Sequence, residues 1–188
     1  TRTGEVQTII EERLNTYVET RRPGMVDDGK EIIHWSERDG WAHFYLYDEN
    51  GNLKNQITKG NFHCEDIVQI DEKNRVLYYT ANAHETNEDP YYLHLYRVNF
   101  DGSGQKLLNP GNFNHSVSMC DSRKFFVDNY SRVNTVPAAD LRDNQGNILM
   151  QFETADLSLL FQAGYRFPET FNVKADDGIT YFYGVMYN

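Results

Sequence analysis

One pattern is written three times along this chain, and such a repetition constrains the fold more than any single motif can. Apolar segments anchored at Leu46, Leu95 and Leu141 recur 49 and 46 residues apart. Each runs into a polar turn closed by glycine: Asp48-Glu49-Asn50-Gly51, Asn99-Phe100-Asp101-Gly102 and Asp143-Asn144-Gln145-Gly146. Such turns join paired strands. Six residues past each glycine stands an apolar residue, Ile57, Leu108 or Phe152. Upstream, Val26 and Ile32, Ile70 and Val76, and Met119 and Phe125 are each six apart across turn-forming residues. A β-rich run follows each pair, which makes four short strands per unit. Four-stranded units at this spacing predict an all-β chain, a partial β-propeller of about three and a half blades. A β-sandwich with evenly spaced strands is the competing architecture.

The spacing also predicts boundaries. Gly4, Val6 and Ile10 repeat the interval of Gly51, Leu53 and Ile57, so residues 1–12 read as the last strand of a preceding blade. Blades follow at 15–58, 64–109 and 115–153. Residues 154–188 leave the repeat. There Thr154 is expected to cap one short C-terminal helix whose Leu157, Leu160 and Phe161 share a face, ended by Gly164 and Pro168. A hairpin is expected next, with Asp176-Asp177-Gly178 at its turn.

Eighteen Lys and Arg against 28 Asp and Glu leave a net charge of −10, which excludes nucleic acid as a partner. Aromatic residues make up 14% of the chain, enough for a substantial core. No apolar run approaches the roughly 18 residues of a membrane span, and no retained signal peptide is expected. Cys64 and Cys120 read as free thiols. No G-x-S-x-G elbow is present, and Asp101-Gly102-Ser103-Gly104 belongs to a hairpin turn. Phosphate-binding loops and H-E-x-x-H pairs are missing too. His63-Cys64-Glu65-Asp66 would alternate faces along a strand. No metal and no cofactor are therefore expected, and Glu11-Glu12 reads as solvated surface.

The string Trp35-Ser36-Glu37-Arg38-Asp39-Gly40-Trp41-Ala42-His43-Phe44-Tyr45-Leu46-Tyr47 closely resembles a blade motif of the dipeptidyl peptidase IV family of serine exopeptidases. Ile57-Thr58-Lys59-Gly60-Asn61-Phe62, His115-Ser116, Asp128-Asn129-Tyr130-Ser131 and Leu141-Arg142-Asp143 resemble further elements of the same family. The resemblance spans nearly the whole chain. It implies the later part of an eight-bladed N-terminal propeller, with residues 154–188 leading into a C-terminal α/β-hydrolase domain of the same parent chain. The catalytic triad would lie after Asn188, and the paired glutamates that hold the substrate amino group before Thr1. Glu11-Glu12 does not match that pair.

By resemblance, the parent removes dipeptides from peptide N-termini, prefers proline or alanine at the second position, is a homodimer, and is periplasmic or secreted. Tyr17-Val18-Glu19-Thr20-Arg21-Arg22-Pro23 matches a family loop that faces the substrate cleft. Arg22 keeps its match, whereas Arg21 stands where the family has an aromatic residue. Both are candidate substrate-binding residues, and the alternative is an exposed loop whose arginines pair with nearby acids. A non-enzymatic propeller that binds a protein or glycan partner is the rival function.

Overall fold

The protein is described here by a computed structural model covering residues 4 and 6–187. It forms two compact units, one ending at Asn112 and one beginning at Phe113. The first holds two four-stranded antiparallel sheets whose strands lie side by side in chain order. One comprises β1 (Gly24–Val26), β2 (Glu31–Ser36), β3 (His43–Asp48) and β4 (Leu53–Gln56). The other comprises β5 (His63–Asp71), β6 (Val76–Asn82), β7 (His94–Asn99) and β8 (Lys106–Leu107). The second unit holds a third such sheet, β9 (Asn114–Met119), β10 (Phe125–Ser131), β11 (Ala138–Asp143) and β12 (Ile148–Gln151). A helix, α1 (Ser158–Gln162), and a hairpin of β13 (Glu169–Lys174) and β14 (Tyr181–Met186) follow.

Two of the three turns between third and fourth strands form for a common reason. Asp48 accepts the backbone N–H groups of Asn50 and Asn52, and Asp143 those of Gln145 and Asn147. A short carboxylate thus replaces the ladder partners that the reversing chain loses. Gly51 supplies the positive φ, and a Cβ there would also lie 1.9 Å from the Ile9 carbonyl oxygen.

Strand alternation builds the main core between the first two sheets. Ile33, Trp35, Phe44 and Leu46 face Leu77, Tyr79, Tyr96 and Val98 in one buried cluster. On the other side of the first sheet, Ile32, Tyr45 and Tyr47 pack with Ile9 and Ile10.

The ladders correct three expectations. Leu46 pairs with Ile33, Arg97 with Tyr78 and Leu141 with Val127, so Arg97 rather than Leu95 occupies the middle anchor position. A slip of two keeps every side chain on its own face, so hydrophobicity cannot reveal it. In the first unit Glu31 is equivalent to Val76 and Phe125, one place before the expected Ile32, because the turn spans 27–30. Thr154 does not cap α1: Leu157 precedes the helix without a side-chain cap, and Asp156 accepts the Ser158 N–H. Gly164 does end that helix, at positive φ.

Of the strand expected over 1–12, residues 1–3 and 5 lie outside the described residues, and 6–12 form no ladder. A strand needs a neighbour to bond with, and no described residue offers one there. Uneven spacing has a local origin. The connection between β6 and β7, residues 83–93, is longer than its counterparts at 37–42 and 132–137.

Candidate functional site

The loop that enters β1 lies against β5. Irregular pairing between Cys64 and Ile67 bulges β5, and a bulge re-aims the side chains it carries. Glu65 and Asp66 consequently both reach Arg21, whose Nη2 donates to Glu65 at 2.9 Å and whose Nη1 donates to Asp66 at 3.1 Å. Arg21 Nε donates to Glu19 at 2.8 Å, and its guanidinium lies 5.1 Å from the centre of the Trp35 ring. Three acids and an aromatic face thus hold one arginine. Gly24 allows the approach of β1 to β5, since a Cβ there would lie 2.6 Å from Ile70 Cδ1.

These groups surround a cavity of about 280 Å³ whose walls include Arg21, Arg22, Trp35, Phe44, Glu65 and Asp66. Arg22 is exposed at this cavity and, among the described residues, makes no ion pair or side-chain hydrogen bond. The pairing with acids that the alternative reading gives to both arginines falls on Arg21 alone among the described residues. Arg22 presents several free N–H donors beside an aromatic wall, which suits carbonyl or carboxylate oxygens. The sequence reading missed Glu65 and Asp66 as partners of this loop, because a bulge leaves no signature in a single sequence.

Other reactive-looking groups are committed elsewhere. Cys64 Sγ lies 3.3 Å from Thr58 Oγ1 and 3.8 Å from His43 Nδ1, which resembles a nucleophile and base. Burial, however, pushes the Cys64 thiol up to about 12 and lowers the His43 pKa. A neutral thiol does not attack carbonyls. The arrangement serves the sheet: Thr58 accepts the Phe44 N–H, as Asn109 accepts the Leu95 N–H beside His94. His43 and His94 stand at the same position of successive units, and aligning the motifs on their closing glycines would have revealed it.

In the second unit, His115 Nδ1 sits 2.9 Å from Asp128, whose carboxylate also faces Arg142 at 3.2 Å. Arg142 in turn donates to Asp140. All four are buried, so these family-like residues clamp β9, β10 and β11 from within. Ser103 Oγ donates to Asp101 in its turn and accepts from Asn99 Nδ2, so its hydroxyl is committed to the turn. Of the expected surface acids, Glu11 is exposed, but Glu12 is largely enclosed by His34, Ser36 and Arg38. Among the described residues, no cluster of three His, Cys, Asp or Glu side chains is placed to hold a metal.

Comparison with known proteins adds an independent observation. Residues 1–137 match the family described as the dipeptidyl peptidase IV (DPP IV) N-terminal region. A dipeptidyl peptidase 4 of Arthroderma otae is 32% identical over 88 residues, covering 46% of this chain and 10% of that protein. A probable dipeptidyl peptidase 4 of Aspergillus flavus is 34% identical over 68 residues, covering 36% of this chain and 8% of its own. Among solved structures, a putative dipeptidyl aminopeptidase IV from Bacteroides ovatus superposes with a TM-score of 0.66 at 24% identity, over 86% of this chain and 25% of that one. The dipeptidyl peptidase 4 of Porphyromonas gingivalis gives 0.66 at 21% identity, over 82% of this chain and 22% of its own. The chain therefore spans about a tenth of the first relative and about a quarter of the first solved neighbour.

Proposed function

Since this chain belongs to the family of dipeptidyl peptidase IV N-terminal regions, we propose that it is the non-catalytic propeller portion of a serine-type dipeptidyl peptidase. Its task is to gate and position peptide N-termini for a C-terminal α/β-hydrolase domain of the same parent chain. Division of labour of this kind is physically sound, because a rigid lid that orients the substrate lowers the entropic cost of reaction while another domain supplies the nucleophile. The parent acts in the periplasm or outside the cell; within the described residues, no helix is long and apolar enough to cross a membrane.

The observation that carries the reading is the contrast between two adjacent arginines. Arg21 is held by Glu19, Glu65 and Asp66, whereas Arg22 offers an unpaired guanidinium to the cavity. Arg22 is assigned to bind backbone carbonyls of the peptide, and Arg21 to hold the loop that presents it. A contact made equally in ground and transition states acts on KM rather than on kcat.

In the full-length enzyme, Arg22→Ala is expected to raise KM for tripeptides and longer substrates several-fold, on the scale of about 1 kcal/mol for one partly exposed hydrogen bond. The turnover number should change little. An unchanged KM across substrate lengths defeats the assignment. Activity of the purified 188-residue chain on a glycyl-prolyl chromogenic substrate, after titration rules out contaminants, would defeat the non-catalytic reading.

A further inference from the structure

Counting along the repeat brings two cavities into correspondence. Phe44 and Ala139 hold the same place in their sheets, since the Ile57 N–H donates to the carbonyl of one and the Phe152 N–H to the carbonyl of the other. Trp35 lies opposite Phe44, and Asn129 lies opposite Ala139. Ser116 in turn lies opposite Asn129, and the β1–β2 register, counted two places on from Gly24 and Ile33, sets Arg22 opposite Trp35. Arg22, Trp35 and Phe44 line the cavity of about 280 Å³ described above. Ser116, Asn129 and Ala139 line another, within the second unit, of about 520 Å³. Where the first sheet has an arginine, an indole and a phenyl ring, the third has a hydroxyl, an amide and a methyl group. The space so left is within the range of pockets that hold small ligands.

The groups around this second cavity narrow what it can hold. Asn114 and Ser131 form the next cross-strand pair on the same face. Amide and hydroxyl side chains both donate and accept hydrogen bonds, as a peptide group does. Asn129 donates to the Ser116 carbonyl at 3.4 Å and keeps its Oδ1 as an acceptor. Beyond Phe152 the chain passes along the cavity at 153–156, where its backbone makes no backbone hydrogen bond among the described residues. Glu153 and Asp156 carry the only charges among the lining residues, so an anionic ligand is repelled. A sugar ring finds no free aromatic face to stack on, since Tyr130 lies against Phe113 and His115, at 5.2 and 5.7 Å between ring centres.

We propose that this cavity is a second peptide-binding subsite, which grips the main chain of an extended peptide through Ser116, Asn129 and Ser131 and prefers basic to acidic sequence. The choice of a peptide as ligand rests on the peptidase reading, whereas the cavity itself is independent of the role given to Arg22.

The test uses the full-length enzyme and a fluorescent peptide of alanine and lysine, acetylated and amidated at its ends so that it cannot be processed. Anisotropy titration should show saturable binding, tighter than for the same peptide with glutamate in place of lysine. Asn129→Trp, which restores the indole of the first sheet, should weaken binding about tenfold or more. Should that variant misfold, Ser116→Arg, at an exposed position, decides and should weaken binding as much. No saturable binding by the wild type, or equal binding by wild type and Ser116→Arg, overturns the proposal. So does displacement of the peptide by diacetylchitobiose, which would mark a glycan site. Loss of binding in Arg22→Ala but not in Ser116→Arg would put the peptide at the first cavity, so that this proposal fails while the reading of Arg22 stands.

Discussion

Two thiols in this protein illustrate how far environment separates identical side chains. Cys120 is exposed in the turn between β9 and β10, where Ser122 Oγ lies 3.1 Å from its sulfur. That contact and nearby backbone N–H groups pull its pKa down to about 7, while burial holds Cys64 near 12. The thiolate is the reactive form, so iodoacetamide at neutral pH should modify Cys120 in the folded protein and spare Cys64. Equal labelling, read by mass spectrometry, contradicts this. Both residues could be read as free thiols from the sequence, but their difference could not, since it depends on Cys64 lying on the buried face of β5 and Cys120 in an exposed turn. The arginine pair divides in the same way. Composition predicted that acids would surround the loop, but only the bulge in β5 decides that Arg21 receives them and Arg22 does not.

At the scale of strands and turns, what could be read in advance was whatever a short window encodes. Glycine-closed turns, four strands per unit and the C-terminal hairpin all have local chemistry, so the three hairpin turns appear where the sequence placed them. Register does not have such a signature, and neither does the start of a five-residue helix whose apolar residues remain exposed. The bond between neighbouring sheets was hidden as well. Glu31 on β2 pairs with Lys54 of its own sheet and with Arg75 of the next. Hydrogen bonding from Arg75, opposed by burial and helped by Lys54, lowers the Glu31 pKa from 4.5 to about 2. The folded carboxyl ionises below its unfolded value, so its contribution is whole above pH 4.5 and drains away as pH falls towards 2. Lys54 and Arg75 are nearly half exposed, which discounts the effect to about 1–2 kcal/mol. Glu31→Gln should therefore flatten the fall in stability over that acid window, measured by urea denaturation at stepped pH. A variant curve parallel to the wild type would show that the pair contributes nothing.

The three four-stranded sheets share one plan, and the long 83–93 connection that spaces β6 from β7 departs from it. Glu88 tethers this excursion to His94 and Glu85 tethers it to Tyr96, but Tyr91 is 69% exposed and Asn87 adopts a left-handed backbone. A tethered, solvent-facing excursion is where a protease first finds extended chain it can bind. Brief chymotrypsin treatment should thus cut near Tyr91, besides trimming at Tyr17, which is 80% exposed ahead of β1. The two pieces should stay together, because β6 and β7 pair along their whole lengths from Val76 with Asn99 to Ala81 with His94. Co-elution of the nicked halves until denaturant is added would reveal a sheet that keeps its integrity without covalent continuity. By the same reasoning the 83–93 excursion is the natural seam for splitting this protein into complementing fragments, and a reporter built on that seam would light up only when the second sheet reassembles.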